Sequence, residues 1–158
     1  MTITLRTART GDGPMLQAMV RELAVHHGYE AYFTAKPEDY ERFLADPHAI
    51  NGAIIAEWNG EPAGCATWQR SYATFIGREI MYMEDISVLP PFRRRGIAKA
   101  LLRAVAQLAV QREAAAVKWL MMGWNSDARR LYEAAGASIE EGNCFCQLTG
   151  EALQRLAA

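Results

Sequence analysis

No run of 18 or more apolar residues occurs in this 158-residue sequence, so none of it is expected to cross a membrane as a helix. An excess of one charge is missing too: 17 basic and 18 acidic side chains leave a net charge of −1. A general nucleic-acid surface needs a basic face, so no nucleic-acid partner is expected, although the balance leaves room for a local basic patch. Residues 1–6 lack the basic-then-apolar pattern of a secretory signal and are expected to be mature structure. Cysteine is scarce. Cys65, Cys144 and Cys146 are an odd number and cannot build a disulfide framework alone, and Cys-x-Cys without a second Cys or His pair is a weak zinc signature. No metal is expected. Reduced thiols are, and with them a cytoplasmic location. Repeats, low-complexity tracts and linkers are absent, so one domain is expected over residues 1–158.

What is present alternates between strand and helix signals. Residues 2–6 alternate in the strand manner, and residues 12–26 carry Met15, Met19, Leu23 and His26 at helical spacing before Gly28. A short helix is expected over 37–45, with Pro37 in its first turn. Strands over 53–57 and 62–70 are joined by Asn59-Gly60, a hairpin turn signal. Another strand is expected over 81–88, a long helix over 96–113, a buried strand over 117–122, and a helix over 127–135 stopped by Gly136. A last strand is expected over 144–148, placing Cys144 and Cys146 on one face. Hairpins in the first half imply antiparallel pairing, and strand–helix–strand order in the second implies parallel pairing. The fold class is therefore α/β, with a central mixed sheet flanked by helices.

The strand over 81–88 runs into Leu89-Pro90-Pro91-Phe92, where proline ends the ladder. Arg93-Arg94-Arg95-Gly96-Ile97-Ala98 then opens the long helix. A strand, a tight turn and a helix N-terminus make an anion site, since free N–H groups point outward and the dipole favours negative charge. Gly96 and Ala98 allow close approach of a ligand. A backbone N–H bonded to a charged oxygen is worth roughly 1.5–3 kcal/mol, against about 0–1 for an exposed arginine pair. The amides are thus expected to hold the anion and the arginines to steer it. The turn is neither a nucleotide P-loop nor a dinucleotide fingerprint, because neither glycine spacing is present. On its own, this loop fits a solvated basic helix start equally well.

Arginine–arginine–any–glycine–any–alanine after such a strand resembles the acetyl-CoA pyrophosphate loop of the GNAT superfamily of N-acetyltransferases. Trp124-Asn125 followed by Ala128, Tyr132 and Gly136 resembles that superfamily's other cofactor segment. The likeness extends to the spermidine/spermine (diamine) acetyltransferase branch through Ile76-Gly77, Met81-Tyr82-Met83-Glu84-Asp85 and Glu140-Glu141-Gly142. It is strong from Tyr72 onward and weak before.

The resemblance implies a single domain of that fold, its parallel strand pair splayed at the cofactor site, taking acetyl-CoA as cosubstrate and a small-molecule primary amine as acceptor. By it, the main chain of Ile86, Ser87 and Val88 holds the pantetheine arm and acetyl carbonyl. An N–H there would stabilise the oxyanion. Arg93, Arg94, Arg95, Gly96, Ile97, Ala98 and Lys99 would hold the pyrophosphate, with Asn125, Ala128 and Tyr132 completing the cofactor site. For Ser87 taken alone, ordinary strand pairing is the rival reading, and Asn125 could equally cap the following helix. Tyr132 would protonate the departing thiolate, a transfer costing only about 2 kcal/mol on reference pKa values; the rival is a half-buried core tyrosine. An amine arrives as a cation and must lose a proton before attack, so a carboxylate is needed. Glu84 is expected as that base and Asp85 on the opposite side of the strand, both with Glu141 as acceptor-binding acids. A surface ion pair is the rival for Glu84. No Ser/His/Asp or Cys/His nucleophile arrangement is evident, so direct transfer is expected. His26-His27 lacks metal-site spacing and reads as solvated or capping.

The sequence departs from the branch at Ala73 and Phe75, where that branch carries an aspartate and a tryptophan, and at His27, near an expected cleft glutamate. Fewer acids attract a doubly charged amine less. A diamine, a thialysine-like amino acid or another monoamine is then as consistent as spermidine. A peptide or protein N-acetyltransferase and a non-catalytic acyl-CoA-binding module remain alternatives. Relatives are commonly homodimers, and the same is expected here.

Overall fold

A computed structural model describes residues 1–157. The chain forms two compact units, residues 1–125 and the segment from Ser126 onward.

The first unit is built on strands β1 (Ile3–Thr7), β2 (Asn51–Trp58), β3 (Glu61–Ala73), β4 (Arg78–Val88) and β5 (Val117–Lys118), in the order β1-β2-β3-β4-β5. The first three pairings are antiparallel and β4–β5 is parallel, giving the expected mixed sheet. Asn59 and Gly60 both adopt positive φ, the backbone that a two-residue hairpin needs. Helix α1 (Gly13–His27) and helix α2 (Pro37–Leu44) cover one face. Leu16 and Met19 of α1 pack there with Ala53, Ile55 and Cys65, and Tyr40 and Phe43 of α2 close over them. Helix α3 (Ile97–Gln111) packs across β1 to β4 and buries Ile97, Leu101, Leu102, Val105 and Ala109. On that face the Trp68 ring covers Gly52, where an added Cβ would meet it at 2.4 Å, and takes the Arg112 guanidinium at 5.2 Å. Arg6 ties β1 to the turn before α1 by donating to both Asp12 oxygens at 2.7 and 2.9 Å and to Glu57 at 2.8 Å.

The second unit holds helices α4 (Ser126–Ala134) and α5 (Gly150–Ala157). Gly136, with φ of 85°, stops the turn after α4 as expected.

Two strand expectations are corrected. The strand expected over 117–122 shrinks to two residues. It pairs only at Met81↔Val117 and Tyr82↔Lys118, because β4 carries a bulge just beyond and parts from β5. The strand expected over 144–148 is not formed: residues 137–149 have no helix or strand, and 144–148 are all exposed. An extended segment without a neighbouring strand has no partner for its peptide groups. The loop expected after Arg70 is shorter than supposed, since β3 runs on to Ala73 and β4 begins at Arg78.

Candidate active site

The bulge in β4 organises the site. Met83 is in register with Trp68 and Asp85 with Thr67, which leaves Glu84 as an extra residue with no partner on β3. A bulge places two residues opposite one and breaks strict alternation. Sequence alternation predicts opposite faces for Glu84 and Asp85. Instead both line one cavity of about 210 Å³, together with Thr67 and Gln69 of β3 and Asp39, Tyr40 and Phe43 of α2. The acidic pair stands on the strand wall and the two rings, at i, i+3 spacing, on the helix wall.

The two carboxylates differ in surroundings. Glu84 is exposed, whereas Asp85 is partly buried. The Thr67 hydroxyl donates to the Asp85 carboxylate at 3.1 Å and accepts the Asp85 N–H at 3.1 Å, latching the side chain. Burial pushes the Asp85 carboxyl up from its ordinary value; the Thr67 hydrogen bond opposes this and the Glu84 charge adds to it. Across the cavity the Tyr40 phenol is pushed up to about 12, first by burial and then by the Asp85 charge. It is therefore a neutral donor near pH 7. Asp39 is partly committed: it accepts the Lys36 N–H at 2.7 Å and pairs with Arg42. Among the described residues, none of the side chains lining the cavity is cationic.

Downstream of the bulge, β4 has β3 on one side and, past Tyr82, no β5 pairing on the other. The Leu89 N–H donates to the Ala63 carbonyl on β3 at 2.9 Å, so alternation turns the peptide groups of Val88 and Ile86 to the open side. Ser87, expected to act with them, is turned the other way. Its carbonyl lies against β3, so close that a Cβ on Gly64 would meet it at 2.4 Å, and its buried hydroxyl donates to the Met19 carbonyl at 2.8 Å.

The loop after β4 ends in α3. Gly96 is its N-cap, with φ of 81° and no side chain capping the helix. A Cβ on Gly96 would meet nothing within 4 Å, so it is the backbone conformation, not crowding, that selects glycine. The first intrahelical bond, Ala100 N–H to the Gly96 carbonyl at 3.0 Å, leaves the earlier amides of Ile97, Ala98 and Lys99 without a partner from the helix ladder. Two arginines are held by the protein itself. Arg93 Nε donates to the Val88 carbonyl at 3.1 Å and its guanidinium lies 3.7 Å from Glu22; Arg95 stands over the Trp58 ring at 5.0 Å. Arg94 adopts a left-handed backbone, φ of 62°.

His26 and His27 end α1, and their rings lie 5.8 and 5.7 Å from the Trp124 ring, directly before Asn125. Burial and the neighbouring His26 push the His27 imidazole down. In the second unit, Tyr132 is buried on α4 and burial pushes its phenol up to about 12. Glu141 accepts from Arg129 of α4 at 3.0 Å. Thr67, Tyr40 and Phe43 were not indicated by the sequence. Tyr40 and Phe43 carry a helical-spacing signal, but Thr67 reaches the site only through a register that the bulge fixes.

Over residues 17–137 the chain matches the model of the Acetyltransferase (GNAT) family. It is similar to thialysine N-epsilon-acetyltransferase of Bos taurus, 32% identical over 98% of this chain and 97% of that protein. It is also similar to L-ornithine N5-acetyltransferase NATA1 of Arabidopsis thaliana, 36% identical over 75% of this chain; the aligned part spans 48% of that protein, about half its length. An integron cassette protein from the mobile metagenome of V. cholerae has the same fold, with a TM-score of 0.80 at 22% identity over 99% of this chain and 98% of that one.

Proposed function

The chain belongs to the acetyltransferase (GNAT) family, and we propose that it moves the acetyl group of acetyl-CoA directly to the primary amine of a small molecule. The observation that carries this reading is the cavity at the β4 bulge. It presents Glu84 and Asp85 beside the same strand whose far end opens into the loop before α3.

The amides of Ile97, Ala98 and Lys99, with Gly96, would hold the pyrophosphate, and the peptide groups of Ile86 with the N–H of Val88, whose carbonyl is held by Arg93, the pantetheine arm and acetyl carbonyl. Asn125 and Ala128 would complete that site by family resemblance. The acceptor arrives as an ammonium ion, and a pair of carboxylates holds it while Glu84 takes its proton through water. The amine nitrogen then attacks the acetyl carbon, the C–S bond breaks, and the thiolate takes a proton from Tyr132. Burial raises that phenol to about 12, which keeps it protonated and available to donate as the C–S bond breaks.

The relatives' names specify ornithine and thialysine as acceptors, both amino acids. Here the cavity offers acids and aromatic rings and no cation, so an acceptor's own carboxylate would find no partner inside it. A diamine or monoamine is favoured over an amino acid of equal length. Free thiols support a reducing, cytoplasmic setting. A homodimer is carried over from the family resemblance alone.

Thiol release from acetyl-CoA, measured over putrescine, cadaverine, ornithine, thialysine and an amino-terminal peptide, tests the reading. Amine-dependent release is expected, with diamines ahead of the matching amino acids. Tight acetyl-CoA binding with no acceptor-dependent release would leave a non-catalytic acyl-CoA module, and release with the peptide alone would make the protein a peptide acetyltransferase.

A further inference from the structure

Away from the amine cavity, two of the three thiols come together in the stretch before α5. Cys144 and Cys146 are exposed, whereas Cys65 is fully buried in β3. They are one residue apart in residues 137–149, which have no helix or strand. In extended backbone such residues point to one face, and two steps of about 3.3 Å separate their Cα atoms by about 6.6 Å. That is inside the Cα separation of about 4.4–6.8 Å that a disulfide tolerates. The Cys146 sulfur is already turned back toward its neighbour, 3.9 Å from the Cys144 carbonyl oxygen. No backbone hydrogen bond to another element engages residues 143–147 among the described residues, so their torsions can tighten without breaking a ladder. Gly142, with φ of 99°, provides a hinge just upstream.

We propose that Cys144 and Cys146 form a dithiol modification site that a hydroperoxide closes into an internal disulfide. One thiolate attacks the peroxide oxygen, the O–O bond breaks, and a sulfenic acid and an alcohol or water result. The second thiolate attacks the sulfenic sulfur, the S–S bond forms and the hydroxyl leaves as water. The two thiols give up two electrons and two protons, and the peroxide takes them. A ring closed over a single intervening residue is strained, so a dithiol reductant opens it readily. Cys65 is shielded from this chemistry by its burial in the core.

The test treats the full chain with hydrogen peroxide at low stoichiometry, unfolds it, alkylates it and weighs the tryptic peptide of residues 131–155, which holds both thiols. The wild-type peptide should lose the mass of two hydrogens and take no alkyl group, and dithiothreitol should restore two alkylation sites. Cys144→Ser and Cys146→Ser should each abolish the loss. Because both positions are exposed, these variants should unfold with the wild type. The proposal is overturned by a peroxide-treated wild-type peptide that still takes two alkyl groups. It is equally overturned by a disulfide that joins two chains, or by oxidation that falls first on Cys65.

Discussion

The bulge end of β4 offers side chains, Glu84 and Asp85 opposite Tyr40 and Phe43, whereas the loop end offers peptide groups: Ile86, Val88 and the first amides of α3. The charged side chains nearest those amides are largely occupied, Arg93 with Val88 and Glu22, and Arg95 with Trp58. One end is thus tunable by single substitutions and the other is written into the backbone. On this comparison, side chains should govern turnover and acceptor choice, and main chain should govern cofactor affinity.

The largest expected effect is on turnover. Tyr132→Phe should lower kcat about 10²–10⁴-fold while leaving acetyl-CoA affinity nearly intact, as read by steady-state kinetics beside calorimetric titration. Unchanged turnover would remove Tyr132 from the chemistry. Glu84→Gln should lower kcat/KM for the amine by about 10²-fold, again without weakening the cofactor. If Asp85→Asn alone carries that loss, the partly buried acid and not the exposed one is the base.

At the loop end the order should reverse, with affinity lost and chemistry kept. Gly96→Pro forces φ to about −65° where the chain holds 81°, and should cost about 10- to 100-fold in acetyl-CoA affinity. Arg94→Ala should cost no more than about fivefold, and the difference should fade as salt is added. A larger loss for Arg94→Ala than for Gly96→Pro would mean that charge, not backbone, holds the anion.

The smallest effect sharpens the description of Asp85. Its folded-state pKa lies above the ordinary 3.8, so just above pH 3.8 the unfolded chain has released a proton that the folded chain keeps. Stability should therefore fall as pH rises through that window to the raised value, and this contribution should vanish in Asp85→Asn. Denaturant midpoints of the two proteins at pH 4 and pH 7 measure it. A pH dependence identical in both would show that Asp85 titrates normally.

Much of the fold was legible because local chemistry dictated it. Asn59-Gly60 fixes its hairpin by backbone freedom, and Leu101, Leu102 and Val105 fix the buried face of α3 by spacing. What escaped was what depends on partners far away in sequence. The length of β5 is set by where β4 leaves it, and residues 144–148 carry strand spacing but have no strand beside them. The site divided in the same way. Gly96 and its arginines are read from a contiguous motif, whereas Tyr40 and Thr67 join Glu84 only after the sheet is in register. Strict alternation was the wrong rule for Glu84 and Asp85 because it assumes a ladder with no extra residue.

That extra residue makes β4 two half-strands of opposite phase. Met81, Met83, Asp85 and Ser87 share one parity in the sequence, yet the methionines face Trp68 and α3 while Asp85 and Ser87 face Thr67, Cys65 and α1. Deleting Glu84 alone would make Met83 and Asp85 neighbours on β4, as Trp68 and Thr67 are on β3, so the acid and the serine would keep their faces and partners. A one-residue gap here would therefore straighten the ladder and cost the cavity one carboxylate. The same gap on either side of the bulge would instead slip a half-strand by one residue and turn its side chains to the wrong face.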